Sequence, residues 1–309
     1  MHRLNSYAMN KPARGSLLSI EQLEDKEILG LLKLARRMNP LKARPLLRNK
    51  RIMLLFYEAS TRTRSSFEIA AKSMGAITTL VESSGSSIEK GESLLDTAYT
   101  LRAVGADAIV IRHPAAGAPH LMAKHLDIPV INAGDGMHEH PSQALLDMLT
   151  ILDNRSRLDG LNVVIVGDIF HSRVARSNIW GLTKMGATVV VCGPATLIPP
   201  NIDAMGVQVS NHLEQCIPDA DVIMVLRLQK ERQHQMLLPS LREYATLYGI
   251  NSERLKQAKK DVLIMHPGPM NRGVEISPEV ADGPYSVILD QVTNGVAVRM
   301  ALLYLLAQR

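Results

Sequence analysis

The feature that most constrains the fold of this chain is a repeated alternation of short apolar runs with helical patterns. In the first half, the apolar runs are residues 52–56, 78–81 and 108–111. The helical patterns between them end at Gly75 and Gly105, and glycine commonly closes a helix because it adopts a left-handed conformation. Strands that alternate with helices in this way predict a parallel sheet covered by helices on both faces.

A second set of apolar runs indicates a second sheet of the same kind, with strands at residues 163–166, 188–191, 222–226 and 262–265. We therefore expect an α/β protein with two doubly wound parallel-sheet domains joined by interdomain helices. The boundaries that fit the pattern are residues 1–140 for the first domain and 141–290 for the second. Residues 291–309 form an apolar helix that we expect to pack back on the first domain.

Composition limits the classes of protein to which the chain can belong. The net charge of +5 would permit nucleic-acid binding, but aromatic residues are only 4% and no Lys/Arg run occurs, so no nucleic-acid partner is expected. We also expect no membrane partner and a cytoplasmic location, because neither a signal-peptide core nor a long apolar span is present. Cys192 and Cys216 show no metal-ligand spacing, so neither a zinc site nor a disulfide framework is predicted.

The segment FYEASTRTRSSF, residues 56–67, lies where a strand is predicted to end and a helix to begin. Backbone N–H groups at such a turn, together with the positive end of the helix dipole, favour an anion. Ser60, Thr61 and Thr63 add hydroxyl donors, and Arg62 and Arg64 add planar guanidinium groups. The pattern favours phosphate binding over the simpler interpretation of a hydroxyl-capped helix with solvent-facing arginines.

This segment resembles the carbamoyl-phosphate motif of the aspartate/ornithine carbamoyltransferase family. Three further segments match that family in order: SSIEKGE at residues 86–92, RHP at 112–114, and NAGDG with HPSQ at 132–143. Taken singly, Lys90 would suggest loop surface, Arg112 a strand-end charge and His140 a helix cap. The resemblance is what indicates that they act together.

The second half resembles the aspartate branch of the family. LRLQKER at residues 226–232 places Arg227 and Gln229 at ligand positions, and Arg173 matches a second carboxylate-binding arginine. Two arginines suit an acceptor with two carboxylates, because an Arg–carboxylate pair is strong and directional. HPGP at residues 266–269 stands where the ornithine branch has His-Cys-Leu-Pro, and the second half of the chain contains no Ser-Met-Gly, which argues against ornithine.

The resemblance implies transfer of the carbamoyl group of carbamoyl phosphate to the α-amine of L-aspartate, an early step of pyrimidine biosynthesis, with no metal and no cofactor. It also implies the following residue roles. Catalysis is assigned to Arg62, Thr63, Arg112 and His140. Carbamoyl phosphate is assigned to Ser60, Thr61, Arg62, Thr63, Ser86, Arg112, His140, Gln143 and the carbonyls of Gly268 and Pro269. Aspartate is assigned to Lys90, Arg173, Arg227 and Gln229. The family also implies a homotrimer in which Ser86 and Lys90 come from a neighbouring subunit.

Several alternatives stay open from the sequence. The chain could carbamoylate a different amine, or be a silent homologue that serves as a scaffold for another enzyme. A nicotinamide dehydrogenase is disfavoured because residues 167–172 lack the repeated glycines of a dinucleotide turn. Assembly with regulatory chains or with a dihydroorotase is also left open.

Overall fold

A computed structural model describes residues 15–82, 91–229 and 240–307. The chain divides into two compact units. The first contains the residues up to Leu146 and those from Val292 onward, and the second is Asp147–Gln291. Each unit contains one parallel sheet, and the two units are described in turn.

The first unit contains a four-stranded sheet. Its strands are β1 Arg51–Phe56, β2 Ile77–Glu82, β3 Ala108–His113 and β4 Val130–Asp135. Its helices are α1 Asp25–Ala35, α2 Thr61–Ser73, α3 Leu94–Ala103 and α4 Ala118–His125. The order across the sheet is β2-β1-β3-β4, and every pairing is parallel.

The inner strands β1 and β3 are apolar along nearly their whole length because helices cover both faces of the sheet. Met53, Leu55, Ile109 and Ile111 belong to one buried cluster on a single face. Strand β2 at the edge is largely exposed. The continuous apolar runs at residues 52–56 and 108–111 therefore mark the two inner strands of the sheet.

Helix α1 begins later than its sequence suggests. Ser19 and Gln22 resemble a capping box, but the reciprocal box is formed by Glu24 and Glu27, where Glu24 N donates to Glu27 Oε2 at 2.9 Å. Ser19 Oγ accepts only a long bond of 3.3 Å from Gln22 N. That bond closes an isolated turn, and the helix starts after it.

The second unit contains a five-stranded sheet. Helix α5, Pro141–Arg155, leads into it across the boundary between the units. The strands are β5 Asn162–Val166, β6 Thr188–Cys192, β7 Gln208–Ser210, β8 Val222–Val225 and β9 Leu263–Met265. The helices are α6 Arg173–Lys184, α7 Leu213–Cys216, α8 Leu241–Tyr248, α9 Ser252–Leu255 and α10 Pro278–Ala281, with 3-10 turns at Ala195–Leu197 and Ile202–Met205. The order is β7-β6-β5-β8-β9, all parallel, so the predicted fold class is confirmed.

The last helix, α11, is Ile288–Ala307 and also contains a boundary between the units. Residues 297–303 are buried without a break, including the charged Arg299. The Arg299 guanidinium lies 5.1 Å from the centre of the Phe67 ring, an arrangement in which a cation is attracted to the aromatic face. Among the described residues, no helix is both long and apolar enough to cross a membrane.

Candidate functional site

The candidate residues of the first unit lie at the carboxyl edge of its sheet. The chain passes from β1 to β2 on one side and then crosses to β3 on the other side of β1. In open α/β sheets, ligands bind outside the strand ends at such a switch point. The segment after β1 opens α2, and Arg112 is the next-to-last residue of β3, inside the strand rather than after it as expected.

The start of α2 has the features of an anion site. Ser60 is the N-cap residue with extended backbone, and its carbonyl accepts from Arg64 N at 3.1 Å. Its side chain makes no capping hydrogen bond, so the interpretation in which Ser60 only caps the helix gains no support. The N–H groups of residues 61–63 lie in the turn that a helix cannot satisfy internally, and this turn contains no acidic residue. Thr63 is buried, whereas Thr61 and Arg62 are exposed.

The arginines of the motif differ in their partners. Arg64 Nη1 lies 2.7 Å from Glu82 Oε1, so this guanidinium is engaged in an ion pair. Arg112 Nε lies 3.2 Å from Glu58 Oε2, and both of these side chains are largely buried. Glu58 therefore orients Arg112, a role that the sequence analysis did not assign. The backbone joins the same two segments, because Tyr57 N donates to the Arg112 carbonyl at 2.9 Å.

His140 and Gln143 are held at the start of α5 by buried carboxylates. The Asp135 carboxylate, fully buried, accepts from Asn132 Nδ2 at 2.8 Å and from Glu139 N at 3.2 Å. Burial alone would raise the pKa of Asp135, but hydrogen bonds from His138 and Asn132 outweigh it and lower the pKa. The donors therefore keep Asp135 ionised and fix the segment before His140. The Gln143 N–H then donates to the His140 carbonyl at 2.9 Å, and both side chains are buried.

In the second unit, the switch point lies between β5 and β8. Gly167 follows β5 with φ +127°, and a Cβ there would stand 2.8 Å from the Tyr244 hydroxyl, so the turn requires glycine. The Asp168 carboxylate accepts from His171 N at 3.1 Å and contacts His171 Nδ1 at 2.8 Å. Ser172 caps α6, and Arg173 is the first residue of that helix and is buried.

Arg227 and Gln229 follow β8, and both are half-buried. Leu226 N donates to the Val166 carbonyl at 2.8 Å, which extends the pairing of β5 with β8 to the edge of the sheet. The Leu228 carbonyl accepts from Asn271 Nδ2 at 3.4 Å. This weak bond joins the segment after β8 to the segment that follows β9.

The segment after β9 contains Gly268 and Pro269. Gly268 has φ +61°, a conformation that glycine adopts without strain, and it precedes a cis peptide bond. Gly268 N donates to His266 Nδ1 at 2.7 Å, and His266 Nε2 lies 3.2 Å from Glu275 Oε1. The buried Glu275 carboxylate also accepts from Asn271 N at 2.6 Å.

A chain of buried polar groups that sequence reasoning missed supports His266. His266 N donates to Gln291 Oε1 at 2.9 Å, and Gln291 Nε2 donates to Asp147 Oδ1 at 2.7 Å. Asp147 Oδ2 accepts from Asn178 Nδ2 at 2.8 Å. The available signal was that Asp147 and Gln291 are polar residues within apolar helices, and buried polar groups are generally paired.

The structure thus places the candidate residues of each unit on one sheet edge. In the first unit these are Ser60, Thr61, Arg62, Thr63, Arg112, His140 and Gln143; in the second they are Arg173, Arg227, Gln229, Gly268 and Pro269. Ser86 and Lys90 lie outside the described residues.

Comparison with known proteins identifies the family. A model described as the carbamoyl-P binding domain of aspartate/ornithine carbamoyltransferase matches residues 15–153, and a model of the Asp/Orn binding domain matches residues 159–306. The chain belongs to the aspartate/ornithine carbamoyltransferase family.

Relatives of this carbamoyltransferase chain include the aspartate carbamoyltransferase catalytic subunit of Syntrophobacter fumaroxidans, 62% identical over 96% of this chain and 99% of that protein. Among solved structures, aspartate transcarbamoylase from Trypanosoma cruzi in complex with carbamoyl phosphate and aspartate is 32% identical, with a TM-score of 0.85 over 94% of this chain and 97% of that chain. Ornithine carbamoyltransferase from Pyrococcus furiosus is 30% identical, also with a TM-score of 0.85, over 96% and 98%. Similarity of backbone therefore does not distinguish the two acceptors.

Proposed function

We propose that this carbamoyltransferase transfers the carbamoyl group of carbamoyl phosphate to the α-amine of L-aspartate, giving N-carbamoyl-L-aspartate and phosphate. The observation that carries the choice of acceptor is the pair of arginines, Arg173 and Arg227, on the two sides of the β5/β8 switch point. The sequence relatives point the same way, since the Syntrophobacter fumaroxidans and Desulforapulum autotrophicum proteins, 62% and 58% identical, are aspartate carbamoyltransferase catalytic subunits.

We assign the phosphate to the start of α2. The N–H groups of residues 61–63, the hydroxyl groups of Ser60, Thr61 and Thr63, and the Arg62 guanidinium present donors to one anion. Arg112, oriented by Glu58 3.2 Å away, adds a second guanidinium from β3. The phosphate is the leaving group, so donors that stabilise its negative charge assist its departure.

We assign the carbonyl oxygen of the carbamoyl group to Thr63, Arg112 and His140. Attack by the neutral amine forms a C–N bond and places negative charge on this oxygen, and the intermediate then breaks its C–O bond to phosphate. Loss of one such oxyanion donor costs about 3 kcal/mol in the barrier. Gln143 and the carbonyls of Gly268 and Pro269 would orient the carbamoyl amide, and the departing phosphate can accept the amine proton.

We assign the aspartate carboxylates to Arg173 and Arg227, with Gln229 as a further polar contact. Bidentate Arg–carboxylate pairing explains a preference for a dicarboxylate, since ornithine carries a positive charge at its side chain. The N-cap Ser172 and the Asp168–His171 contact hold Arg173 at the start of α6. A rigid arginine loses less entropy when it binds its ligand.

The assembly and the location of the protein are further parts of the proposal. We infer a homotrimer in which Ser86 and Lys90 of a neighbouring subunit contribute to carbamoyl phosphate and aspartate binding. We also infer a cytoplasmic enzyme of pyrimidine biosynthesis, which fits two buried cysteines that are unpaired.

The direct test is formation of the ureido product from carbamoyl phosphate with either L-aspartate or L-ornithine. The proposal expects turnover with aspartate alone. Turnover with ornithine alone would refute the acceptor assignment, and no turnover with either amine would support the silent-homologue alternative.

Substitutions separate the two halves of the proposal. Arg173→Ala is expected to raise the KM for aspartate at least tenfold. Arg157→Ala is the matched control, because Arg157 is exposed near the opposite, amino edge of the same sheet. Arg112→Ala is expected to lower kcat by about two orders of magnitude, with Arg102→Ala, which breaks an exposed ion pair to Asp127, as its control. An equal effect of test and control variants would contradict the assignments.

A further inference from the structure

A cluster of metal-ligand side chains lies in the first unit and involves none of the residues assigned to substrates. It contains His120 of α4, Asp135 at the end of β4, and His138 in the turn that follows. One ligand atom of each of the three residues lies within 4.8 Å of the others. Glu21 belongs to an overlapping group with His138 and Glu139 that meets the same distance limit.

His120 supplies the second observation. Its Nδ1 atom is buried from solvent, and within residues 15–82, 91–229 and 240–307 it has no hydrogen-bond partner. A buried ring nitrogen without a partner is destabilising, and such atoms often mark an ion or a water. The other nitrogen of the His120 ring, Nε2, lies 3.3 Å from Gln22 Nε2. Because a side-chain amide can be flipped, the Gln22 oxygen can take this place and accept a hydrogen bond from a His120 Nε2–H group. That contact would orient the ring in the way that outer partners orient metal-binding histidines.

The neighbours of His120 complete a suitable donor set. The rings of His120 and His138 pack edge-on with centres 5.6 Å apart. His138 Nδ1 lies 3.0 Å from Asp135 Oδ2. The Asp135 carboxylate is fully buried and also accepts from Gly117 N at 2.8 Å and from Asn132 Nδ2 at 2.8 Å, so it is fixed as a metal-binding carboxylate commonly is.

We propose that His120, His138 and Asp135 bind one divalent transition-metal ion of the Zn²⁺ class, with Glu21 or water in the fourth position. Two imidazoles and one carboxylate suit Zn²⁺, Co²⁺ or Ni²⁺ better than Mg²⁺ or Ca²⁺, which prefer oxygen ligands. Bonds of about 2.0–2.1 Å in a tetrahedron place ligand atoms roughly 3.4 Å apart, so the cluster needs to contract by at most about 1.4 Å.

The site is structural, and no step of carbamoyl transfer passes through it. The ion would join α4 to the turn after β4, and through Glu21 to the segment that precedes α1. Glu139 already receives the backbone N–H groups of Ile20 and Glu21, at 2.8 and 3.2 Å. A metal ion would therefore strengthen the support of the segment that leads into His140.

The test is Zn²⁺ binding by the full-length protein after chelator treatment, measured in competition with a chromophoric chelator. The variants are His120→Asn and His138→Asn. The matched control is His125→Asn, which removes another histidine of α4, one whose ring contacts the Tyr99 hydroxyl outside the cluster. The control is needed because the chain contains ten histidines, and the others can bind Zn²⁺ weakly.

The wild type and His125→Asn are expected to bind one equivalent of Zn²⁺ at least tenfold more tightly than His120→Asn and His138→Asn. Thermal unfolding in chelator shows whether each variant folds, and His120→Asn suffices for the test if His138→Asn does not. Equal Zn²⁺ affinity in all four proteins would overturn the proposal. Binding is measured without substrates, so its outcome is independent of whether aspartate is the acceptor.

Discussion

The Tyr244 hydroxyl allows a prediction in which removal of a polar group stabilises the protein. Tyr244 lies in the apolar core of the second unit and is 2% exposed. Its hydroxyl has no hydrogen-bond partner among the described residues. Burial, with Glu275 and Asp168 nearby, raises the pKa of Tyr244, so the group is a neutral hydroxyl at physiological pH. Tyr244→Phe deletes this hydroxyl and keeps the ring.

The magnitude follows from the cost of a buried polar group without a partner, about 1–3 kcal/mol. Part of this gain is offset because the missing oxygen leaves a small gap beside Gly167, where an added Cβ would lie 2.8 Å from the Tyr244 hydroxyl. We therefore expect Tyr244→Phe to raise the free energy of unfolding by about 1 kcal/mol. The control is Tyr248→Phe in the same helix, which loses a bond of 2.9 Å to the Asn211 carbonyl and should lower that free energy by about 1 kcal/mol.

Urea unfolding followed by tryptophan fluorescence measures both variants. Trp180 is the single tryptophan of the chain and lies in α6, so it reports on the second unit. With an m-value of about 2 kcal/mol/M, the midpoints should shift by roughly 0.5 M in opposite directions. A loss of stability in Tyr244→Phe as large as that in Tyr248→Phe would refute the reasoning, because it would show that the Tyr244 hydroxyl is hydrogen-bonded.

Three further predictions follow from single contacts. Burial would raise the pKa of Asp221, but hydrogen bonds from Lys259 and the Asn162 N–H outweigh it and lower the pKa below its ordinary 3.8. Asp221→Asn should therefore lower the free energy of unfolding by about 1–2 kcal/mol near pH 7. In urea unfolding, this difference from wild type should vanish as the pH falls through the folded-state pKa of Asp221. Gly167→Ala should lower the free energy of unfolding by at least about 1 kcal/mol, because φ is +127°, and the same unfolding assay measures it. Glu275→Gln should lower kcat/KM for carbamoyl phosphate about tenfold, because it disturbs the contact between Glu275 and His266. Steady-state assays at saturating aspartate measure this value, and an unchanged kcat/KM would contradict a positioning role for Glu275.

The sequence predicted well those features that depend on neighbouring residues. The inner strands were visible as continuous apolar runs because both faces of each sheet are covered, and Gly75 and Gly105 marked helix ends through their positive φ. The strand-to-helix turn at Ser60 was also local, because residues 60–63 follow β1 closely and open α2; the phosphate assigned to it stays a prediction. The short helices of the second unit, such as α9 with four residues, gave no periodic signal that could have been recognised.

Features that depend on strand order could not be predicted from neighbouring residues. Arg112 contacts the segment between β1 and α2 only because β3 lies directly beside β1, on the side opposite β2. The bond between Asp147 and Gln291 joins residues 144 positions apart, and no pattern in either helix indicates its partner. Such groups are brought together by the order in which parallel strands are wound, and each switch point collects the carboxyl ends of strands that are distant in sequence. In this chain the same arrangement occurs in both units, which explains why candidate residues from separate segments meet at one sheet edge in each.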